Sequence, residues 1–187
     1  ASMNRRVSTA SPVARPPAAP RWCLASASAW LARFEAGAAG AMLALVLALL
    51  LFNIVTRAIG KAQFWVDEAA IMAMVWMAFL AAAAGLQSGA NIAMTLVVER
   101  LPHRLALLAA ALVDALMLVF VLVLLWLLWR WFDLPGLLQH GGDGDALAAD
   151  TFNFIYEEPT LTLGLHKVWF WLVLPLFTLG SCVHLLA

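Results

Sequence analysis

The sequence predicts an all-α membrane protein with four transmembrane helices. Hydrophobic residues make up 65% of the chain, charged residues only 12%, and the mean hydropathy is +0.92. Soluble chains are about 45–50% apolar and about 25% charged. The charges also cluster, so long uncharged windows separate them. About 20 helical residues cross the hydrocarbon core, and a segment surrounded by lipid must satisfy its own backbone hydrogen bonds.

Four windows of the chain meet this requirement. Residues 36–56 carry no charge, and the run that starts at residue 69 is uniformly apolar as far as Leu86. The third window, 105–129, contains a single acid, and the fourth, 168–187, contains no Asp, Glu, Lys or Arg. The predicted spans are therefore about 36–57, 67–87, 104–130 and 168–187, with an outer loop at 131–167.

The distribution of Lys and Arg sets the predicted orientation. Seven of the eleven Lys and Arg residues lie on the same side of the predicted membrane bundle as the N-terminus, and four lie on the opposite side. Cytoplasmic segments carry the excess of these residues, so both termini are predicted to be cytoplasmic. Six tryptophans then fall at the outer boundary, where they predict an aromatic belt: Trp65, Trp126, Trp129, Trp131, Trp169 and Trp171.

The segment before the first span divides into two parts. Residues 1–21 are rich in Arg, Pro, Ala and Ser and contain no acid, which predicts a flexible cytoplasmic tail. Ala1 and Ser2, ahead of Met3, are interpreted as a cloning remnant. Residues 22–35 place large apolar side chains among small and basic ones, which favours an amphipathic helix in the inner interface, with a flexible linker as the alternative.

The sequence predicts no enzyme activity. Cys23 and Cys182 are the only cysteines, too few for a disulfide framework or a zinc site. The four histidines offer no facing pair for a haem, and motifs for phosphate binding, nucleophilic serine or zinc proteolysis are absent. We therefore predict no catalytic, cofactor-binding or metal-binding residue. The net charge of zero gives no sign of a nucleic-acid partner.

Asp114 is the acid that interrupts the third window. An acid at the centre of a membrane helix costs about 2.5–3.5 kcal/mol on insertion scales, so it usually faces protein. A structural partner, either Arg104 or a basic group on another chain, is favoured over a proton relay. The alternative function is a self-contained four-helix channel or carrier that uses Asp114, but such a pathway normally needs several facing polar groups.

Small residues mark one face of the second span. Ala81, Gly85 and Gly89 recur every four residues, and this spacing lets helix backbones approach closely. The pattern predicts a helix contact without specifying whether the neighbour is this chain or another.

Charged residues flank the link between the first two spans. Asp67 and Glu68 open the second span, where the helix dipole favours acids and Asp67 suits an N-cap. Arg57 can pair with either acid. Two interpretations remain open, namely capping with a surface ion pair, or a specific contact with another subunit.

The residues around this link resemble a known family. The stretch Phe52-Asn53-Ile54-Val55-Thr56-Arg57, followed by Phe64-Trp65-Val66-Asp67-Glu68-Ala69-Ala70, is similar to the small membrane subunit (Q-type, DctQ-like) of TRAP transporters, the tripartite ATP-independent periplasmic transporters. In that family an arginine ends the first helix, and a W-x-E-E or W-x-D-E signature begins the second. The resemblance covers about residues 40–180. Asn91 stands where family members commonly have His, and it cannot carry a proton.

The resemblance implies a non-catalytic subunit of the bacterial inner membrane. Such a subunit would scaffold and anchor a large M-type membrane subunit, which holds the substrate and sodium sites and moves as an elevator. A periplasmic binding protein would deliver an organic acid, and membrane lipids would contact the scaffold. No cofactor is expected in this chain itself. The candidate interface residues are Arg57, Trp65, Asp67, Glu68, Ala81, Gly85, Gly89, Asn91 and Asp114.

Overall fold

The fold is described by a computed structural model for residues 22–88 and 102–187. Within these ranges the chain is mostly helical and contains no strand. Four segments are long and apolar enough to cross a membrane, at Leu24–Ala58, Phe64–Gln87, His103–Gln139 and Val168–Leu186. The all-α, four-span fold predicted from the sequence is confirmed.

The first helix, α1 (Trp22–Ala58), is a single continuous helix of 37 residues. At about 1.5 Å per residue it is about 55 Å long, well beyond the ~30 Å hydrocarbon core. No break separates residues 22–35 from the apolar part that follows. Their position in the interface stays a prediction, and the tail at 1–21 lies outside the described residues.

A tight turn joins α1 to α2 (Phe64–Ser88). Gly60 adopts a positive φ of 72°, and the amide of Lys61 donates to the carbonyl of Thr56 at 2.8 Å. The two helices then pack against each other as an antiparallel hairpin. Since α2 begins at Phe64, Asp67 lies inside its first turn and is not the N-cap that the sequence suggested.

The remaining helices complete the bundle, with α3 (His103–Phe132) on its periphery. The last span consists of α6 (Val168–Trp171) and α7 (Val173–Leu186), interrupted at Leu172 because Pro175 has no N–H to donate to the Trp171 carbonyl. Helix α7 packs against α2 and α3 and more lightly against α1. Helix α3 rests chiefly on α7, so most of its apolar surface is exposed.

The outer loop is ordered by its own acids. It contains two short helices, α4 (Leu134–Gln139) and α5 (Gly144–Thr151). Asp133 caps α4 by accepting from the amide of Gly136, and Asp143 caps α5 by accepting from the amides of residues 145 and 146. Capping satisfies helix amides that have no partner within the helix.

A small core holds the loop against α3. Ile155 packs with Leu128 and Phe132 at the end of that helix. The Tyr156 hydroxyl donates to the Phe132 carbonyl at 2.5 Å. Burial, and then the negative charge of Asp133, raise the pKa of Tyr156 above its ordinary value, so the hydroxyl keeps its proton.

The predicted aromatic belt has mostly exposed members. Trp126, Trp129 and Trp169 are about 60% exposed, as lipid-facing rings would be. Trp131 instead stacks edge-to-face on Trp171, with ring centroids 5.5 Å apart, and so joins α3 to α6. The belt therefore also contributes to packing between helices.

Candidate functional site

Two polar clusters join the helices at opposite ends of the bundle. We call the end that carries Arg57 and Trp65 the outer end, and the end that carries Ser28 and His184 the inner end, following the predicted topology. Between the two clusters, the buried positions that the structure describes are apolar except for Thr178 and Ser181.

The hairpin cluster lies at the outer end and consists of Asn53, Arg57 and Asp67. The Arg57 guanidinium donates from Nη2 to the Asp67 carboxylate at 2.8 Å and from Nε to the Asn53 side-chain oxygen at 2.9 Å. The Asn53 amide donates to the second Asp67 oxygen. Each side chain contacts both others, so the cluster ties the end of α1 to the first turn of α2.

Glu68 enters a separate contact, which we call the loop clamp. Its carboxylate accepts hydrogen bonds from three successive backbone amides, those of Leu161 at 2.8 Å, Thr162 at 2.7 Å and Leu163 at 3.1 Å. The Thr162 hydroxyl donates a fourth bond at 2.6 Å. Successive amides that converge on an anion form a backbone nest, and bonds to an ionised acceptor are the stronger kind.

The folded loop presents these amides. Pro159 and His166 form an isolated β-bridge, and the Thr160 amide donates to the Leu165 carbonyl at 2.7 Å. Gly164 allows the turn with a positive φ of 69°. The clamp therefore connects the start of α2 to the approach to α6.

The inner cluster is buried and consists of Ser28, Glu35 and His184. The two imidazole nitrogens of His184 lie 2.8 Å from the Ser28 hydroxyl and 2.9 Å from a Glu35 carboxylate oxygen. The His184 side chain is fully buried, and that of Glu35 is 6% exposed. A Cβ on Gly180 would overlap the Glu35 carboxylate, so a larger residue there would require this buried side chain to shift.

Sequence reasoning missed the inner cluster. Neither Glu35 nor His184 is among the interface residues predicted from the sequence. The signal that could have predicted this pair is the similar depth of the two residues in the membrane. Both are ionisable residues at the inner ends of spans, where an uncompensated buried charge is costly.

The inner cluster combines Ser, His and Glu, the side chains of a hydrolytic triad. Its burial gives it a different role. Ser28 is 2% exposed and the His184 side chain fully buried, so a substrate would not reach the hydroxyl. The geometry is that of a structural connection between α1 and α7.

The other predicted interface residues lie apart from these clusters. Trp65 packs on Phe52 at the outer end, with ring centroids 6.2 Å apart. Ala81 is exposed on α2, and a Cβ added at Gly85 would meet no atom within 4 Å. The helix contact predicted for this face stays a prediction. Gly89 and Asn91 lie outside the described residues.

Asp114 faces outward from α3. Arg104, the partner suggested within the chain, lies ten residues and therefore about 15 Å away along the helix axis. Within residues 22–88 and 102–187 no hydrogen bond or ion pair involves Asp114. The ion pair between Arg104 and Asp114 is therefore not formed.

An apolar groove of about 500 Å³ opens on another side of the bundle. It is lined from α1, α2, the clamped loop and α6, with Leu45, Trp76 and Trp169 among the lining residues. Such a groove suits hydrocarbon better than a polar ligand. Among the described residues, no cluster of three His, Cys, Asp or Glu could hold a metal ion.

Comparison with known proteins identifies one family. Residues 46–187, well over half of the chain, match the family model described as Tripartite ATP-independent periplasmic transporters, DctQ component. The matched region includes the hairpin cluster, the loop clamp and His184, whereas Ser28 and Glu35 precede it. Searches of curated proteins and of solved structures gave no match.

Proposed function

Because this chain belongs to the DctQ component family of the tripartite ATP-independent periplasmic transporters, it is a small membrane subunit of such a transporter, and we propose that it acts there as a rigid scaffold. The scaffold would anchor in lipid a larger, M-type membrane subunit that carries the substrate and moves. No chemical step is assigned to this chain.

The observation that carries the proposal is the placement of polar contacts. The hairpin cluster and the loop clamp fasten the outer end, and the inner cluster fastens α1 to α7 at the inner end. Between them the described buried positions are nearly all apolar. A bundle whose helices are linked by polar contacts at both ends and packed through apolar side chains between them is suited to a static support. A conduction pathway instead needs facing polar groups across the membrane.

This placement also argues against the channel or carrier alternative. That alternative requires Asp114 to line a path between the helices, but the residue lies on the exposed surface of α3. Thr178, a buried polar residue between the two ends, donates its hydroxyl to the Leu174 carbonyl of its own helix at 2.7 Å. Its hydroxyl hydrogen is therefore already used in a hydrogen bond within the helix.

Family membership and the sequence together support the finer parts of the proposal. The chain would lie in a bacterial inner membrane with both termini in the cytoplasm. Sodium and an organic acid would bind the large subunit, and a periplasmic binding protein would deliver the acid at the outer end. Lipid acyl chains would occupy the apolar groove beside Trp76, and the tryptophan belt would set the depth of the scaffold.

Reconstitution tests the scaffold proposal. The chain, expressed with its neighbouring genes, is expected to co-purify in mild detergent with a much larger multi-span protein. Vesicles that contain the small chain alone should take up no more ²²Na⁺ than empty vesicles. Sodium uptake by the chain alone, or purification of an active solitary chain, would overturn the proposal.

A further inference from the structure

Asp114 lies inside the third candidate membrane span, on the exposed surface of the bundle. It is ten residues from Arg104 and sixteen from Arg130, or about 15 Å and about 24 Å along the axis of α3. Neither flanking arginine can reach it. The carboxylate is exposed, and no described residue forms a hydrogen bond or ion pair with it. A charge in this position is retained in lipid when a partner compensates it.

The part of the chain that the structure describes offers no such partner. Its Lys and Arg residues lie toward the ends of the bundle, with Arg33 and Arg104 at the inner end and Arg57, Lys61, Arg130 and Lys167 at the outer end. His184 is engaged with Glu35 and Ser28 in the inner cluster. A second copy of this chain, inserted in the same orientation, would present the same residues at the same depths. Since the described residues supply no complementary charge, a different chain is its direct source.

The surface around Asp114 permits a close neighbour. Ala110 and Ala111 lie one helical turn before Asp114 on the same side of α3, and small side chains there let another helix approach. Helix α3 is covered chiefly along the face that meets α7, where Val121 and Leu128 are buried. With respect to residues 22–88 and 102–187, the surface at Asp114 is exposed and accessible to a helix of another protein.

We infer that Asp114 forms an ion pair with an arginine or lysine in a transmembrane helix of the large membrane subunit, against the alanine-rich surface of α3. This inference rests on the proposed scaffold function and names the surface that the scaffold presents. Charge complementarity would fix the depth at which the two subunits meet, since a lysine or arginine at that depth would itself need an acid.

Three substitutions in the co-expressed complex test the pair. Asp114→Glu should retain the large subunit, Asp114→Asn should lower its recovery several-fold, and Asp114→Arg should lower it at least tenfold. Asp150→Arg, a charge reversal in the outer loop, is the matched control and should recover the wild-type amount. Thermal aggregation of each small chain purified alone shows whether it is folded, and Asp114→Asn is expected to match wild type.

A photo-crosslinking amino acid at position 114 gives an independent readout. The expected adduct joins the small chain to the large subunit, at a helix that contains a lysine or arginine. Wild-type recovery of the large subunit by Asp114→Asn or Asp114→Arg, or an adduct to a second copy of this chain, would overturn the ion pair alone. Failure of the unsubstituted chain to recover any large membrane protein would instead overturn the scaffold proposal.

Discussion

Glu68 shows how one side chain can order a distant segment. Its carboxylate binds three backbone amides and a hydroxyl more than 90 residues further along the chain. Sequence reasoning treated Glu68 as a capping residue or a subunit contact, with Arg57 as a possible partner. In the structure Arg57 pairs with Asp67 instead, and Glu68 is engaged with the loop. A subunit contact through these residues stays a prediction.

We expect Glu68→Gln to loosen the loop clamp. A neutral amide accepts weaker hydrogen bonds than a carboxylate and offers one oxygen in place of two. Hydrogen exchange at the amides of residues 161–163, followed by mass spectrometry, should therefore be faster than in wild type. Asp145→Asn, a neutral substitution in the same outer loop, is the control, and equal exchange in the two variants would contradict the clamp.

Arg57 and Asp67 allow the two interpretations of the hairpin charges to be separated. Arg57→Asp should lower chain stability by about 0.2–1 kcal/mol, the usual range for an exposed pair. The double exchange Arg57→Asp with Asp67→Arg should restore much of that loss and of the recovery of the large subunit. Thermal aggregation and co-purification measure the two effects.

The outcome of the exchange distinguishes the roles. If the double exchange restores stability and recovery of the large subunit, the two charges act on each other within the hairpin. If the single variant loses the large subunit and the exchange does not recover it, the charges contact another subunit, and the intrachain role is wrong.

Among the helices, the inner cluster determines how α1 packs against the last span. Glu35 and His184 are 149 residues apart, yet their side chains form a buried pair at 2.9 Å. Breaking a buried pair by removing one partner leaves the other without compensation. The contact between α1 and α7 therefore depends on both residues.

We predict that His184→Ala lowers the free energy of unfolding by about 3–5 kcal/mol, as is usual when one partner of a buried pair is removed. The double variant with Glu35→Ala should lose less than the sum of the two single variants, because they share one interaction. Chemical unfolding of the purified chain in detergent measures the cycle. Strict additivity would show that the two residues act independently.

The approach of α7 to α1 at Gly180 gives a second test at this scale. Gly180→Ala would place a methyl group against the Glu35 carboxylate and should destabilise the chain by about 1–3 kcal/mol, the usual cost of overpacking. Gly40→Ala, in a helix where the added Cβ meets nothing within 4 Å, is the matched control. It should be neutral or slightly stabilising, since alanine favours helix more than glycine does. Equal stability of the two variants would contradict the close packing.

Over the molecule as a whole, many apolar side chains are exposed on the outer surface of the bundle. Much of α3 is exposed, and the exposed residues include many of its leucines, valines and tryptophans. Lipid accounts for that exposure without any partner, because acyl chains are as apolar as leucine. Lipid does not account for the exposure of Asp114, because a carboxylate in this position needs a compensating charge from a second protein.

Family membership and the number of spans could both be predicted from the sequence. Any apolar window of about 20 residues must become a helix in lipid, so window length alone determined the four spans. Helix ends were less predictable. Helix α2 begins at Phe64, before the charged residues expected to open it, and α1 continues through residues 22–35 without a break.

Hydrophobic length and local motifs are properties of contiguous residues, so the amino-acid sequence was sufficient to predict a four-helix membrane subunit. Which charges meet became known from the packed helices. Glu68 binds the loop before α6, Glu35 binds His184, and Asp114 faces outward. Such pairings depend on the depth and rotation of each helix relative to its neighbours, which are set by packing among residues far apart in the chain.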